Sequence, residues 1–157
     1  MAAATIRPAN DDDLDELCRL RLAFIADLRE VDVSSFTPEY VDVTRAFLTD
    51  VAGRGRLASW LATVDEVHVG AVSVIVQDMP PLPERPLSRE GYIVNMYVEP
   101  SHRGAGIGRA LMDALVAAGP ALGLRGFFLH ATEQGRPLYE SMGFVDDPRI
   151  MLLKLPT

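Results

Sequence analysis

The segment from residue 92 to residue 118 constrains the fold more than any other part of the sequence. Residues 92–98 have the composition of a β-strand, and the strand stops at Pro100. Three glycines, Gly104, Gly106 and Gly108, then stand at alternate positions before a helix of amphipathic pattern. Glycine lets the backbone approach a ligand closely, and the first N–H groups of the helix converge at its positive end. The segment therefore predicts a strand, a glycine-rich turn that binds an anion, and a helix.

Two arginines make this turn locally basic in an acidic chain. The formal net charge is −7, which argues against a general nucleic-acid-binding protein, because such affinity depends on neutralising phosphates. Arg103 and Arg109 nevertheless flank the turn, and no acidic residue lies between Pro100 and Ala110. The sequence thus favours a phosphate-bearing ligand at this turn. The alternative is that the glycines only make a tight connection.

Two other phosphate-binding loops do not match the segment. A dinucleotide fingerprint would need Gly or Ala at Arg109 if it began at Gly104, or at Leu111 if it began at Gly106. The nucleoside-triphosphate loop needs Gly-Lys-Ser/Thr, which does not occur in the chain. The patterns of both nucleotide-binding families are therefore excluded.

Hydrophobic periodicity over the rest of the chain predicts one α/β domain spanning residues 1–157, with a mixed sheet flanked by helices. A central position, covered on both faces, is predicted for residues 67–77, which are apolar on both sides. The predicted strands cover residues 5–8, 57–64, 67–77, 92–98, 127–131 and 150–155, and the predicted helices follow Asn10 or cover residues 38–51, 107–118 and 137–142.

At these residues the sequence resembles the GNAT superfamily of N-acetyltransferases. The family's acetyl-CoA signature, Arg or Gln, two residues, Gly, one residue, Gly or Ala, is matched by Arg103, Gly106 and Gly108. A second family feature near the C-terminus is matched by Leu138-Tyr139-Glu140-Ser141-Met142-Gly143-Phe144. The order of predicted elements also agrees over nearly the whole chain.

The resemblance implies a mostly antiparallel central sheet with a cleft between two splayed central strands. It also implies acetyl-CoA as co-substrate, with the pantetheine arm in that cleft and the pyrophosphate held by backbone N–H groups. The implied cofactor-binding residues are Met96, Tyr97, Val98, Arg103, Gly104, Ala105, Gly106, Ile107, Gly108 and Arg109. The implied reaction is direct transfer of an acetyl group to a primary amine of a small molecule, peptide or protein, without an acyl-enzyme.

Such a reaction needs a proton donor for the departing thiolate, and Tyr139 is the candidate that the resemblance offers, because a phenol stays protonated at neutral pH. The Val98 N–H is the candidate oxyanion donor. Several family members carry a carboxylate where this chain has Asn95, which can orient a water but cannot itself take a proton. The sequence leaves three candidates for the base, Glu99, Glu133 and His130, and the amine could also arrive in its neutral form.

The acceptor side is less specified by the sequence. Glu30 and Asp32, near the loop between the first two helices, could attract a cationic acceptor, and His130 could lie in the cleft. We expect no metal, because the histidines have no ligand spacing and Asp11, Asp12 and Asp13 are typical of a helix start.

The sequence also predicts where the protein works and which alternatives remain. Neither a secretory signal nor a membrane-spanning run is present, and a single cysteine fits a reducing cytoplasm. A homodimer is possible. Two other functions stay open: a catalytically silent acyl-CoA sensor, and an interaction module built on the prolines of residues 80–86.

Overall fold

The computed structural model describes residues 3–157 and contains a five-stranded sheet in the order β1-β2-β3-β4-β5. The first four strands pair antiparallel, and β4 pairs parallel to β5. The mixed, mostly antiparallel sheet flanked by helices is therefore confirmed. The strands are β1 (Thr5–Pro8), β2 (Leu57–Val64), β3 (Val67–Asp78), β4 (Arg89–Val98) and β5 (Phe127–Leu129), and the helices are α1 (Leu14–Arg29), α2 (Pro38–Gly53), α3 (Ile107–Ala118) and α4 (Arg136–Ser141).

Two hydrophobic cores cover the two faces of the sheet. On one face, Leu111 and Leu115 of α3 pack against β2 and β3 and are fully buried. On the other face, α1 and α2 pack through residues such as Leu20 and Leu48. Strand β3 contributes Val72 to the first core and Ala71 to the second, because successive side chains of a strand point to opposite faces. The predicted central position of this strand is confirmed.

The three aspartates that precede α1 form a short 3-10 turn capped by Asn10. Asp13 accepts two hydrogen bonds from Arg7, each 2.8 Å long, and one from the backbone N–H of Asn10. These bonds, with the Arg7 guanidinium as the largest contribution, hold the pKa of the Asp13 carboxyl at about 2. Asp13 thus joins β1 to the start of α1. Across residues 3–157, no three His, Cys, Asp or Glu side chains are grouped so that they could hold a metal ion.

A bulge in β4 separates it from β5. Asn95 has φ +57°, and the β3–β4 register shifts opposite it, between Ala71 and Ser73. The parallel β4–β5 pairing ends just before this bulge, at Ile93 and Leu129. Beyond that pair the two strands diverge and leave the expected cleft.

The structure corrects two predicted strands. The strand predicted at residues 127–131 ends at Leu129, because β4 turns away and offers no further partner. The final strand predicted at residues 150–155 is wrong, since none of these residues pairs with the sheet and all of them are exposed. Among residues 3–157 there is no helix long and apolar enough to cross a membrane.

Candidate active site

The turn before α3 has the geometry of an anion-binding loop. Gly104 and Gly106 adopt φ +80° and +79°, which only glycine adopts readily, and Gly106 forms the N-cap of α3. A Cβ at either position would meet no atom within 4 Å, so both glycines face open space. The N–H groups that lack helical partners at this end of α3 therefore lie at an accessible surface, beside the positive end of the helix.

A cavity of about 400 Å³ connects this turn to the cleft between β4 and β5. Its lining combines the end of β4, the glycine turn and the residues around α4. Of the ten residues expected to bind the cofactor, nine line the cavity: Met96, Tyr97, Val98, Arg103, Gly104, Gly106, Ile107, Gly108 and Arg109. Ala105 lies on the same turn but is not part of the lining, whereas Tyr139 of α4 is.

The end of β4 offers free backbone groups to the cleft. The N–H of Glu99 donates to Val69 O on β3 at 2.8 Å. Because the N–H groups of successive residues in a strand point to opposite edges, the N–H of Val98 points away from β3, to the side from which β5 has diverged. An extended ligand that carries amide groups can pair with such an edge as another strand would.

The two arginines of the turn have different surroundings. Arg103 donates from Nε to Val98 O (2.8 Å) and from Nη2 to Asp27 of α1 (2.7 Å), and its guanidinium lies 5.5 Å from the Tyr97 ring centroid. These contacts of Arg103 hold the turn against β4 and α1. Arg109 is exposed and binds Asp113 one helical turn away at 3.0 Å, with a longer hydrogen bond of 3.5 Å to Ser141 Oγ. Its side chain can reach a bound anion with little structural cost.

Tyr139 of α4 lines the same cavity as the first turn of α3. The residue is buried to 9% exposure, and its ring packs at 5.9 Å from that of Phe144. Burial raises the pKa of the phenol above its ordinary value, so the hydroxyl stays protonated at neutral pH. Gly135 lies directly against this ring: a Cβ there would stand 2.9 Å from Tyr139 Cε2.

The structure places Asn95 outside the cavity lining. Its side chain is buried and accepts a hydrogen bond from Arg21 Nη1 of α1 at 2.9 Å. Asparagine tolerates the left-handed conformation of the bulge better than most residues. Asn95 therefore lies at the bulge where β4 diverges from β5, and its hydrogen bond with Arg21 holds it there.

His130 directly follows β5 and is not part of the cavity lining. Its Nδ1 lies 2.9 Å from the Tyr92 hydroxyl, and the Tyr92 ring stacks on Phe128 at 4.9 Å. Extending the β4–β5 register by one residue places His130 opposite Val94, immediately beside the bulge. His130 is exposed, so its ring is accessible from solvent.

The two acidic residues expected on the acceptor side lie apart from the cavity lining. Glu30 is the left-handed C-cap of α1, with φ 54°, and is exposed. Asp32 caps the short 3-10 turn at Val33–Ser35 by accepting from the Ser34 N–H at 2.8 Å. Both residues therefore have local structural roles.

Sequence reasoning missed several residues of the cavity. Phe24 and Asp27 belong to α1, and the hydrophobic periodicity of this helix does not indicate that the two residues line a cavity. Thr132, Gln134 and Gly135 also line the cavity, and their position just before the Tyr139 segment could have indicated it. His102 and Leu138 complete the lining.

The sequence profile of the acetyltransferase (GNAT) family matches residues 22–144. A glucosamine 6-phosphate N-acetyltransferase from Trypanosoma brucei brucei is 36% identical over 87 residues, which cover 55% of this chain but only 57% of that protein.

Two solved structures match over nearly their full length. A predicted acetyltransferase from Clostridium acetobutylicum, solved with acetyl-CoA, has a TM-score of 0.84 and 25% identity, with 97% of this chain and 96% of that chain covered. A GCN5-related N-acetyltransferase from Ralstonia eutropha JMP134 has a TM-score of 0.77 and 31% identity, with 97% and 99% covered. The profile match over residues 22–144 and these similarities show that the chain belongs to the GNAT acetyltransferase family.

Proposed function

We propose that this protein transfers the acetyl group of acetyl-CoA directly to a primary amine, without an acyl-enzyme. The observation that carries this proposal is the continuous cavity from the positive-φ glycines of the α3 turn, past the free edge of β4, to Tyr139. The α3 turn suits a diphosphate, the edge of β4 suits an amide-bearing arm, and Tyr139 brings a protonated phenol to the same cavity. Acetyl-CoA carries a diphosphate, an amide-bearing arm and a thioester, and the phenol can protonate the thiolate that leaves.

The binding roles follow from the backbone. The N–H groups of residues 104–109 hold the pyrophosphate with the help of Arg109, while Met96, Tyr97 and Val98 flank the pantetheine arm. Arg103 keeps the turn in place through its bonds to Val98 O and Asp27. The Val98 N–H, directed into the cleft, supports the oxyanion that forms when the amine attacks the carbonyl carbon.

Tyr139 supplies the proton for the leaving group. As the C–S bond breaks, the phenol gives its proton to the thiolate, whose conjugate acid has a pKa of about 8.5 by analogy with cysteine. Burial of Tyr139 raises the pKa of the phenol, which keeps the proton available in the resting enzyme. Solvent then reprotonates the phenolate after thiol release.

We assign the proton acceptor to His130, with Tyr92 as its positioning residue. An amine with a pKa near 10.4 is mostly protonated at neutral pH, so a base at the cleft accelerates the reaction. In the tautomer in which His130 Nδ1 donates to the Tyr92 oxygen, Nε2 keeps a free lone pair. Asn95 cannot fill this role, and its amide oxygen already accepts from Arg21.

The amine itself is the least specified part of the proposal. The similarity to a glucosamine 6-phosphate N-acetyltransferase makes that amino sugar the first acceptor to test, followed by aminoglycosides, amino acids and peptide N-termini. A free-thiol assay with acetyl-CoA and this panel measures turnover for each amine. Thiol release above the rate without amine, together with an N-acetylated product by mass spectrometry, supports the transferase.

A silent acyl-CoA sensor is the second candidate, because Asn95 stands where a catalytic carboxylate is common in the family. Calorimetric CoA binding without thiol release from any amine would favour the sensor. If titration of CoA into folded protein produces no binding at all, both functions are refuted.

The Tyr139→Phe variant tests the chemistry separately from binding. The phenyl ring retains the packing against Phe144, so stability and CoA affinity should change little. Loss of the proton donor should lower kcat by about 10²- to 10⁴-fold, which is the usual contribution of acid–base catalysis. An unchanged kcat would remove Tyr139 from the mechanism.

A further inference from the structure

Arg21 of α1 is a partly buried cation without a carboxylate partner. Most arginines of residues 3–157 form a salt bridge, and those that do not are Arg21, Arg29 and Arg85. Arg29 and Arg85 are exposed, whereas Arg21 is withdrawn from much of the solvent. A charged group in such a position is normally paired, because the loss of hydration is costly. The charge of Arg21 therefore needs an explanation.

Most of the N–H donors of the Arg21 guanidinium bind no described residue. Nη1 donates to Asn95 Oδ1 at 2.9 Å, and the guanidinium lies 5.7 Å from the Phe24 ring centroid. Its Nε and Nη2 groups form no hydrogen bond with any of residues 3–157. Among the same residues, Ser88 Oγ is the only buried side-chain nitrogen or oxygen without a partner. The free nitrogens of Arg21 therefore reach solvent and are available to a ligand.

The residues next to Arg21 on the helix supply no negative charge. Side chains three and four positions apart are neighbours on a helix surface. For Arg21 these neighbours are all uncharged: Leu17, Cys18, Phe24 and Ile25. The nearest acid further along α1, Asp27, is bound to Arg103 at 2.7 Å. An acidic chain with a net charge of −7 thus keeps one local positive charge here that its own side chains do not neutralise.

Arg21 lies beside the bulge where β4 diverges from β5. It binds Asn95 at the bulge, and Phe24, whose ring lies beneath its guanidinium, lines the cavity. His130, the proposed proton acceptor, lies opposite Val94, the residue before Asn95, when the β4–β5 register is extended by one pair. If the pantetheine arm occupies the edge of β4 beyond the bulge, the amine has to approach on the bulge side. Arg21 is therefore close to the acceptor.

We propose that Arg21 binds an anionic group of the acceptor, so that the acceptor is an amine that also carries a phosphate or a carboxylate. A guanidinium recognises both groups through two parallel N–H···O bonds. The inference rests on the proposed acetyl transfer, because it names the class of amine that the same site uses. It is opposite in sign to the sequence-based expectation that Glu30 and Asp32 attract a cationic acceptor. Polycationic amines such as aminoglycosides should therefore be poor acceptors.

Pairs of amines that differ only in the anionic group test this preference. Glucosamine 6-phosphate and glucosamine form the phosphate pair, and free alanine and alaninamide form the carboxylate pair. The free-thiol assay at saturating acetyl-CoA gives kcat/KM for each amine. In at least one pair, the anionic member should be used at least about thirtyfold better, and that pair identifies the group as phosphate or carboxylate. Equal use of both members in both pairs, or better use of the neutral members, would overturn the proposal.

Variants of Arg21 test whether this residue causes the preference. Arg21→Gln removes the charge, keeps an amide N–H donor, and should raise KM for the anionic acceptor until the preference is lost, while the neutral amine is little affected. Arg21→Lys keeps the charge and should retain part of the preference. The control is Arg29→Gln, the same change at an exposed position of α1, which should behave as the parent protein does. If Arg21 only held Asn95, both members of a pair would lose activity alike, so an unchanged preference in Arg21→Gln is evidence against the proposal.

Calorimetry separates a failure of this inference from a failure of acetyl transfer. Glucosamine 6-phosphate and free alanine are each titrated into protein saturated with CoA. At least one should bind, and Arg21→Gln should weaken that binding at least about thirtyfold. If no amine releases thiol but this binding and its dependence on Arg21 persist, acetyl transfer is wrong and the anion site remains. If neither compound binds, or if Arg21→Gln binds them as the parent protein does, the assignment of Arg21 is wrong.

Discussion

The steric contact between Gly135 and Tyr139 provides a sharp test of the proposed proton donor. A methyl group added at Gly135 would stand 2.9 Å from Tyr139 Cε2, 3.3 Å from Cζ and 3.2 Å from Thr132 Oγ1. Carbon atoms in contact normally lie about 3.5–4.0 Å apart, so the ring has to move by roughly 0.6–1 Å. The backbone itself accepts alanine, because Gly135 has φ −81°. Gly135→Ala therefore displaces the phenol without changing its chemistry.

A displacement of about 1 Å from a productive geometry lowers rates by about 100-fold. We expect this loss in kcat, measured by thiol release with the best amine of the panel. The CoA dissociation constant from calorimetry should change less than threefold, because the atoms nearest to an added Cβ at Gly135 belong to Tyr139 and Thr132 and not to the α3 turn. Over-packing should lower the free energy of unfolding by about 1–3 kcal/mol.

A double-mutant cycle with Tyr139→Phe attributes the loss. If Gly135→Ala acts by moving the hydroxyl, it should reduce kcat little further when the hydroxyl is already absent. Gly126→Ala is the control, since a Cβ there meets nothing within 4 Å. Full activity in Gly135→Ala, or the same 100-fold loss in the Tyr139→Phe background, would refute the assigned role of the phenol.

Three further predictions concern other parts of the molecule. Asp13 has a pKa of about 2 against an ordinary value of 3.8, so it stabilises the fold above pH 4 by about 2 kcal/mol and loses this contribution as the pH falls to 2. In urea unfolding, Asp13→Asn should therefore have a lower free energy of unfolding than the parent protein already at pH 7. Its free energy of unfolding should also change less than that of the parent between pH 4 and 2. Gly106→Ala forces a left-handed alanine, at about 1–2 kcal/mol, and should weaken CoA binding about tenfold in calorimetry, whereas Gly53→Ala, with ordinary φ, should not. His130→Asn should lower kcat at least tenfold with little change in CoA affinity; an unaltered kcat would exclude His130 as the base.

Much of the fold was predictable because the relevant signals are local. Gly104 and Gly106 indicate a turn with positive φ, which glycine adopts readily. The apolar run of β3 indicates a strand that is covered on both faces. The part of the cavity lining that comes from β4 and α3 was predicted from residues 92–118, the segment that contains these glycines. These features depend on residues close together in the chain.

The remainder depends on contacts between distant residues. The Arg21–Asn95 bond joins positions 74 residues apart, and nothing in either local sequence shows that Asn95 is held by α1 and not aimed into the cleft. The pairing of His130 with Tyr92 is equally non-local. Residues 150–155 have the pattern of a strand, but a strand forms only where an edge is available, and the subunit alone does not bring them to one.

The state of the single cysteine has a practical consequence for every rate measurement proposed above. Cys18 of α1 is 1% exposed, and burial raises the pKa of its thiol, so it reacts slowly with disulfide dyes while the subunit is folded. The coenzyme released in each turnover is then the dominant fast-reacting sulfhydryl in the cuvette. When the subunit unfolds, one additional equivalent per chain becomes reactive, so the same dye counts both turnovers and denatured molecules.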